Sequence, residues 1–314
     1  MPCVPPPSLD DDAYLAELAP TAERLYERHL NTTQEWFPHE FVPYSQARDF
    51  EPGGEWDETE VPMDTAVRSS LLVNLLTEDN LPFYFQVITR MFGDDDVWGE
   101  WNRRWVAEEG RHSIVIRDYL TATRSLDPWA LERDRMHQVQ AGFHGETLPN
   151  AANGFAYVAL QELATRISHW NTGDRLADPK GKEVMGRVAK DENFHYLFYR
   201  DLVAAGLEAD PSMTVEAIAQ QVDVFEMPGT GIAGFRAHAQ AIANAGIYDM
   251  VIHHDKILVP CVLRHWKVDA LQGLSDAAER ARDRMFAHMA RLKKVGDHLN
   301  EKRDARQAGL AASA

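Results

Sequence analysis

Two of the thirteen histidines, His112 and His195, carry a glutamate three residues upstream, Glu109 and Glu192. Residues at i and i+3 share a helix face, so each pair can offer one carboxylate and one imidazole to the same ion. On this composition roughly one E-x-x-H arises by chance, so the pairs alone decide little. Two more glutamates change the weighting. Glu78 sits in the apolar run at 71–81, and Glu162 in a second apolar run at 155–164. Each lies about 30 residues before its E-x-x-H pair, room for a helix, a turn and a facing helix that runs back. An ionised carboxylate on an apolar helix face is costly unless paired or metal-bound. The chain therefore holds one pattern twice: a buried glutamate, a return helix, an E-x-x-H. Four glutamates and two histidines projecting inward form the donor set of a carboxylate-bridged di-iron four-helix bundle. Such oxygen-rich donors suit iron or manganese. Buried salt bridges are the competing reading. Glu108 and Asp191 stand four residues before the histidines, and spacing does not separate i−3 from i−4. Only the i−3 position is Glu in both halves.

The elements that must carry these residues are helical. Strand signals are nearly absent, and apolar residues recur at helical period. Asp64 can cap a helix over 65–91 that stops before Gly93, and a second spans 98–123. Further helices are expected at 131–141, 155–170, 181–205, 214–225 and 232–245. A loop through Pro149 and Asn150 follows the first of these. Residues 249–262 read as a helix interrupted by Pro260, and a last helix follows a Ser275 cap towards Lys302. No low-complexity linker divides the chain, so 1–314 is expected to be a single all-α domain, with residues 1–10 and 303–314 flexible.

Composition narrows the function. The 314 residues carry a formal charge of −17, which argues against nucleic acid as a partner. Cys3 and Cys261 are the only cysteines, too few for a disulfide framework or a thiolate metal site. No stretch approaches the roughly 18 uninterrupted apolar residues of a membrane helix, so no membrane insertion is expected. The N-terminal residues do not read as a signal peptide, and a cytoplasmic location is expected.

Several segments resemble one family, the soluble acyl-acyl-carrier-protein desaturases of plastids and actinobacteria. Residues 105–112, W-V-A-E-E-G-R-H, resemble that family's W-T-A-E-E-N-R-H, and 191–195, D-E-N-F-H, resemble its D-E-K-R-H. Residues 76–82 are similar to I-T-E-E-A-L-P, and 161–169 to Q-E-R-A-T-F-I-S-H. The segments 36–43 and 264–275 agree as well, so the likeness spans most of the chain. It implies a ferritin-like di-iron bundle with flanking helices, and two Fe2+ ions held by Glu78, Glu109, His112, Glu162, Glu192 and His195, with Glu109 and Glu192 bridging. Thr165 matches a threonine beside the oxygen-binding face. Trp36 and Asp191 match a pair that connects the surface to His112 for electron entry. Asp191 has independent support, since a ligating histidine usually donates its other N–H to a carboxylate. Gly110, Asn193-Phe194 and Trp170 depart from the family pattern without removing a ligand. Asn193-Phe194 would alter the surface offered to partners, and Trp170 a pocket wall.

The implied reaction is O2-dependent insertion of a cis double bond into an acyl chain on acyl carrier protein, with electrons from ferredoxin, by a homodimer. No side chain can oxidise an unactivated alkyl chain, so the metal must supply that power while the protein positions the chain. Phe83, Tyr84, Phe85, Met91 and Phe92 are available to line an apolar tunnel. The groups Lys180, Lys182, Arg187, Lys190 and Arg280, Arg282, Arg284 are candidate basic patches for an acidic carrier. Competing readings are a hydroxylating or N-oxygenating di-iron enzyme, an iron store and a ribonucleotide-reductase radical subunit. The segments around Trp36 and Trp266 have no reason to exist in a store, and the Ala-rich C-terminus lacks an aromatic for radical transfer.

Overall fold

The computed structural model describes residues 8–51, 53–142 and 148–311. Cys3, most of the flexible segment expected at 1–10, part of the loop before Pro149, and 312–314 lie outside them. Among the described residues there are helices and turns but no strand.

The first helix, α1 (Asp11–Thr32), was not expected. Asp10 caps it, accepting from the Ala13 amide, and its buried face is Tyr14, Leu18, Ala22, Leu25 and His29. That spacing is a clean helical stripe, obscured in the sequence by Pro20 and dense charge. A loop with two 3-10 turns carries Trp36 to α2 (Thr65–Glu78), which Asp64 caps as expected. The helix expected over 65–91 is in fact two. Its chain turns at Asp79 and Asn80, and α3 (Leu81–Phe92) starts with Pro82 at its N-terminus. Pro82 has no amide hydrogen and its ring collides with the carbonyl four residues back, so the first helix cannot run through it. The Arg135 fork grips Asp79 at 2.7 and 2.9 Å and fixes the break.

Then come α4 (Asp96–Thr123), α5 (Pro128–Ala141), α6 (Ala151–Arg175) and α7 (Pro179–Ala209). A three-residue link caps α7 through Asp178 and makes α6 and α7 an antiparallel hairpin. The first half of the repeat is not the simple hairpin expected, because α3 stands between α2 and α4. After α8 (Pro211–Val224) the expected 232–245 helix begins later, as α9 (Phe235–Asn244), behind a 3-10 turn. The helix α10 (Met250–Ile252) continues as a π-helical segment, His253–His265. Its wider turn lodges Pro260 without the expected interruption. The last helix, α11 (Asp276–Ala311), follows the Ser275 cap, and Arg303 ties it to Asp249 at 3.2 Å.

The bundle helices α2, α4, α6 and α7 pack between two apolar cores. One gathers Trp98, Trp101 and Trp105 of α4 with Tyr196, Phe198 and Tyr199 of α7 and residues of α1, α6 and α8. The other gathers Val115, Ile116 and Tyr119 of α4 with Val184, Met185 and Val188 of α7, Leu71 and Leu75 of α2, and Trp36. Each apolar stripe on α4 and α7 is interrupted at the same level by charged residues, so the polar level lies between two sealed ends.

α1 docks where Tyr14 donates to or accepts from Thr214 at 3.0 Å, directly over Gly206 of α7. A methyl group at Gly206 would overlap the Tyr14 hydroxyl. Gly206→Ala is therefore expected to cost about 1–3 kcal/mol through overpacking, read as a lower urea midpoint at unchanged slope.

Candidate metal centre

Glu78 comes from the last turn of α2, Glu109 and His112 from α4, Glu162 from α6, and Glu192 and His195 from α7. All six are buried. They form two four-residue groups, Glu78, Glu109, His112, Glu192 and Glu109, Glu162, Glu192, His195, with donor atoms within 4.8 Å of one another in each. Glu109 and Glu192 belong to both groups, the arrangement two carboxylates need to bridge two ions. His112 Nδ1 lies 3.2 Å from Glu109, 3.6 Å from Glu192 and 3.7 Å from Glu78. His195 Nδ1 lies 2.7 Å from Glu109 and 3.6 Å from Glu162. The i−3 acids face the cluster. The i−4 acids lie behind the opposite histidines: Asp191 Oδ2 is 3.5 Å from His112 Nε2, and Glu108 Oε2 accepts from His195 Nε2 at 3.0 Å. Both imidazoles thus turn Nδ1 inward and Nε2 outward, the orientation that an outer carboxylate gives a metal-binding histidine.

A second ring of donors holds the carboxylates. Trp105 Nε1 donates to Glu162 at 3.0 Å, the Thr165 hydroxyl to Glu192 at 2.9 Å, and Trp36 Nε1 to Asp191 at 2.7 Å. Thr165 therefore touches a cluster carboxylate, Asp191 backs His112, and Trp36 meets the cluster only through Asp191. Arg111 and Arg187 also bond Asp191, and their guanidinium carbons lie 4.8 and 5.2 Å from the centroid of the Trp36 ring. Three contributors were missed. His169 faces Glu78 at 3.2 Å and Glu192 at 3.3 Å; it follows Glu162 at i+7 and Thr165 at i+4, a signal the sequence carried. His29 bonds Glu108 at 2.8 Å, and its helix was not expected. Trp105 is one turn before Glu109 on α4.

Electrostatics test whether these residues fit metal. Four donors facing the cluster are buried without a hydrogen-bond partner: Glu109 Oε1, Glu162 Oε2 and the Nδ1 atoms of His112 and His195. Bare polar atoms in a dry interior are costly. Burial and the charge of Glu192 push Glu162 well above the usual carboxylate range. Burial would raise Glu78 too, but His112 and His169 outweigh it and hold it at about 2. Burial would lower His112, and Glu109, Asp191 and Glu78 overcome that to raise it. Protons thus stand where cations belong: two divalent ions would balance four glutamates, with thiolate absent from the donor set. The residues fit a pair of such ions.

A family model described as fatty acid desaturase matches residues 12–313. The chain belongs to that family. DesA1 of Mycobacterium tuberculosis, provisionally named an acyl-acyl-carrier-protein desaturase, is 37% identical over 286 residues, covering 88% of this chain and 84% of the relative. The chloroplastic stearoyl-acyl-carrier-protein 9-desaturase of Gossypium hirsutum is 31% identical over 303 residues, covering 90% and 75%. The X-ray structure of DesA2 from Mycobacterium tuberculosis H37Rv superposes with a TM-score of 0.67 at 26% identity, over 86% of this chain and 99% of that one. The fold of this family member is accordingly the ferritin-like all-helical one.

A cavity of about 510 Å³ opens onto Glu78, Glu109, Glu192 and Thr165. The inserted helix α3 walls it with Leu81, Tyr84, Met91 and Phe92, opposite Gly154 and Tyr157 of α6. Phe83 and Phe85, expected beside them, are not in the lining. A smaller cavity of about 90 Å³, lined by Phe235, Ile242 and Tyr248, meets Glu78 and Thr165 from another side. Trp170 is 54% exposed and walls neither cavity. The expected basic patches are mostly spent within the chain: Lys180 pairs with Glu183, Lys182 with Asp174 and Arg187 with Asp191, and Arg282 bonds the Leu271 carbonyl. Lys190, Arg280 and Arg284 stay exposed. Among the described residues no helix is long and apolar enough to cross a membrane.

Because Glu109 serves both groups, Glu109→Ala should remove both ions together. Elemental analysis should find iron near zero in the variant, and adding Fe2+ should raise the melting temperature of the parent only. Undiminished iron would exclude Glu109 as a ligand.

Proposed function

We propose that this family member is an O2-dependent acyl-acyl-carrier-protein desaturase whose Glu78, Glu109, His112, Glu162, Glu192 and His195 hold two Fe2+ ions. The observation that carries this reading is the junction of a largely apolar chamber of about 510 Å³ with the two carboxylates common to both donor groups. The bound iron pair supplies O2-driven oxidation of unactivated C–H bonds, chemistry no side chain here can perform. The balance is simple. An acyl chain gives up two hydrogens from neighbouring carbons, O2 takes four electrons, two from the chain and two from ferredoxin, and two waters form with two added protons.

The chain's own residues do the rest. The apolar walls strip water from the acyl chain and hold it in one path. The two cavities meet at Glu78 and Thr165, so the stretch of chain lying there is the one presented for oxidation, while one end fills the larger cavity as far as Met91 and Phe92. Thr165 fixes one oxygen of Glu192 on the chamber wall, and Trp105 fixes one oxygen of Glu162 within the cluster. Trp36, buried with its N–H on Asp191, links the exterior side of α4 and α7 to His112 and is the proposed route for electrons. Acidic carrier protein is proposed to dock through exposed cations such as Lys190, Arg280 and Arg284, and the chain to act as a homodimer.

The deciding experiment incubates iron-loaded protein with a panel of acyl-acyl-carrier-protein thioesters, ferredoxin, its reductase and O2. Loss of two hydrogens by mass spectrometry is the expected result; gain of one oxygen would mean a hydroxylase on the same bundle. In this assay Asp191→Asn should keep both irons at saturating Fe2+ and slow ferredoxin-driven turnover about tenfold or more. An unchanged rate would remove Asp191 from the electron route. A methyl group at Gly154 would overlap the Met91 sulfur. Gly154→Ala should therefore drive Met91 into the chamber and cut kcat/KM for the longest chains about tenfold while sparing shorter ones.

A further inference from the structure

The two donor groups share Glu109 and Glu192 but differ in what stands behind their histidines. Behind His112, Asp191 is engaged by the Trp36 indole and by two guanidinium groups, Arg111 at 3.0 Å and Arg187 on its other oxygen. Both arginines are well covered, with side chains 17% and 9% exposed. Behind His195, Glu108 has one guanidinium in contact, Arg104 at 2.6 Å, and that side chain is 35% exposed. Arg111 lies 3.9 Å from Glu108, beyond hydrogen-bond reach. The other donor to Glu108 is an imidazole, His29, at 2.8 Å. Its Nδ1 is buried without a partner, so a second proton there would be an unpaired cation in a dry interior; His29 is a neutral donor.

An outer carboxylate that receives an imidazole N–H pushes electron density to the opposite nitrogen and makes it a stronger ligand. A cation on that carboxylate withdraws the effect, and a buried cation withdraws more than one screened by water. Asp191 is hydrogen-bonded by two well-covered guanidinium groups, whereas Glu108 is hydrogen-bonded by one, the partly exposed Arg104, with Arg111 farther off at 3.9 Å.

We propose that these outer partners make the two metal positions unequal, so that the ion among Glu109, Glu162, Glu192 and His195 binds first and more tightly than the ion among Glu78, Glu109, Glu192 and His112. Arg111, Arg187 and His29 are positioning residues in this scheme, acting through Asp191 and Glu108. The inference rests on the two-iron reading above.

Metal-free protein titrated anaerobically with Fe2+ by calorimetry, and with Co2+ by visible absorption, tests it. The parent should show two steps of one ion each, separated by about tenfold or more in affinity. Glu108→Gln should weaken the first step by about 10–100-fold, and Asp191→Asn the second step alone. Arg111→Gln, which frees Asp191 to polarise His112, should strengthen the second step and narrow the gap. A gain in affinity is something a damaged fold cannot produce. Two indistinguishable steps in the parent, or an Asp191→Asn variant weakened in its first step, would overturn the ordering and leave the two-metal reading standing. A parent that binds fewer than two ions would overturn both.

Discussion

Four carboxylates within a few ångströms, buried inside the bundle, govern the rest of the molecule. Left to themselves they repel and lack solvent, and such a site persists only with compensating positive charge. The protein arranges that compensation in layers. The inner donors point at a common centre and leave four buried atoms without a well-formed hydrogen bond. The next carboxylates out, Glu108 and Asp191, are each tied to arginine, so they orient the histidines without adding uncompensated charge to the centre. The inner acids are thus left able to take metal, while the outer acids are satisfied by protein.

Holding that arrangement demands stiffness at both ends. On α4 and α7 the charged level is bracketed by aromatic and aliphatic clusters, Trp101 stacked on Phe198 at 3.6 Å above and Tyr119 with Val184 and Val188 below. A change in the separation of these helices would misplace Glu109 and Glu192 together. Pairing of α6 and α7 as a hairpin, and the clamp of α1 across α4 and α7, resist such a change. The glycines that matter permit close approach: Gly206 lies under Tyr14, and Gly154 under Met91 and Phe92.

Much of this was legible in the chain. The twofold occurrence of a glutamate in an apolar run followed by E-x-x-H named the residues that converge, because a helix period and a burial cost are both readable from residue type. Choosing Glu109 over Glu108 was legible only weakly: spacing leaves both open, the repeat favours the i−3 position because it alone is Glu in both halves, and the rotation of α4 against α7 is what turns Glu109 inward. The break at Asp79 was signalled by Pro82 and overridden by the continuous apolar pattern around it. His29 stayed hidden because α1 buries only a narrow stripe, and the partner that makes it matter, Glu108, is 79 residues away. Nothing local reports such a contact.

The break between α2 and α3 joins the metal-facing residues to the chamber. Had the helix run straight through 65–91, Glu78 would lie in mid-helix and the residues after it would extend along the bundle axis. The turn at Asp79 and Asn80 instead leaves Glu78 in the last turn of α2 and sends Leu81, Tyr84, Met91 and Phe92 to the chamber wall. One segment thereby supplies a cluster carboxylate and the surface along which a chain would lie. The position on that chain that meets the cluster then depends on how far Met91 and Phe92 stand from Glu78 along α3. This distance is set by the fold, and Arg135 secures it by holding Asp79 at the hinge.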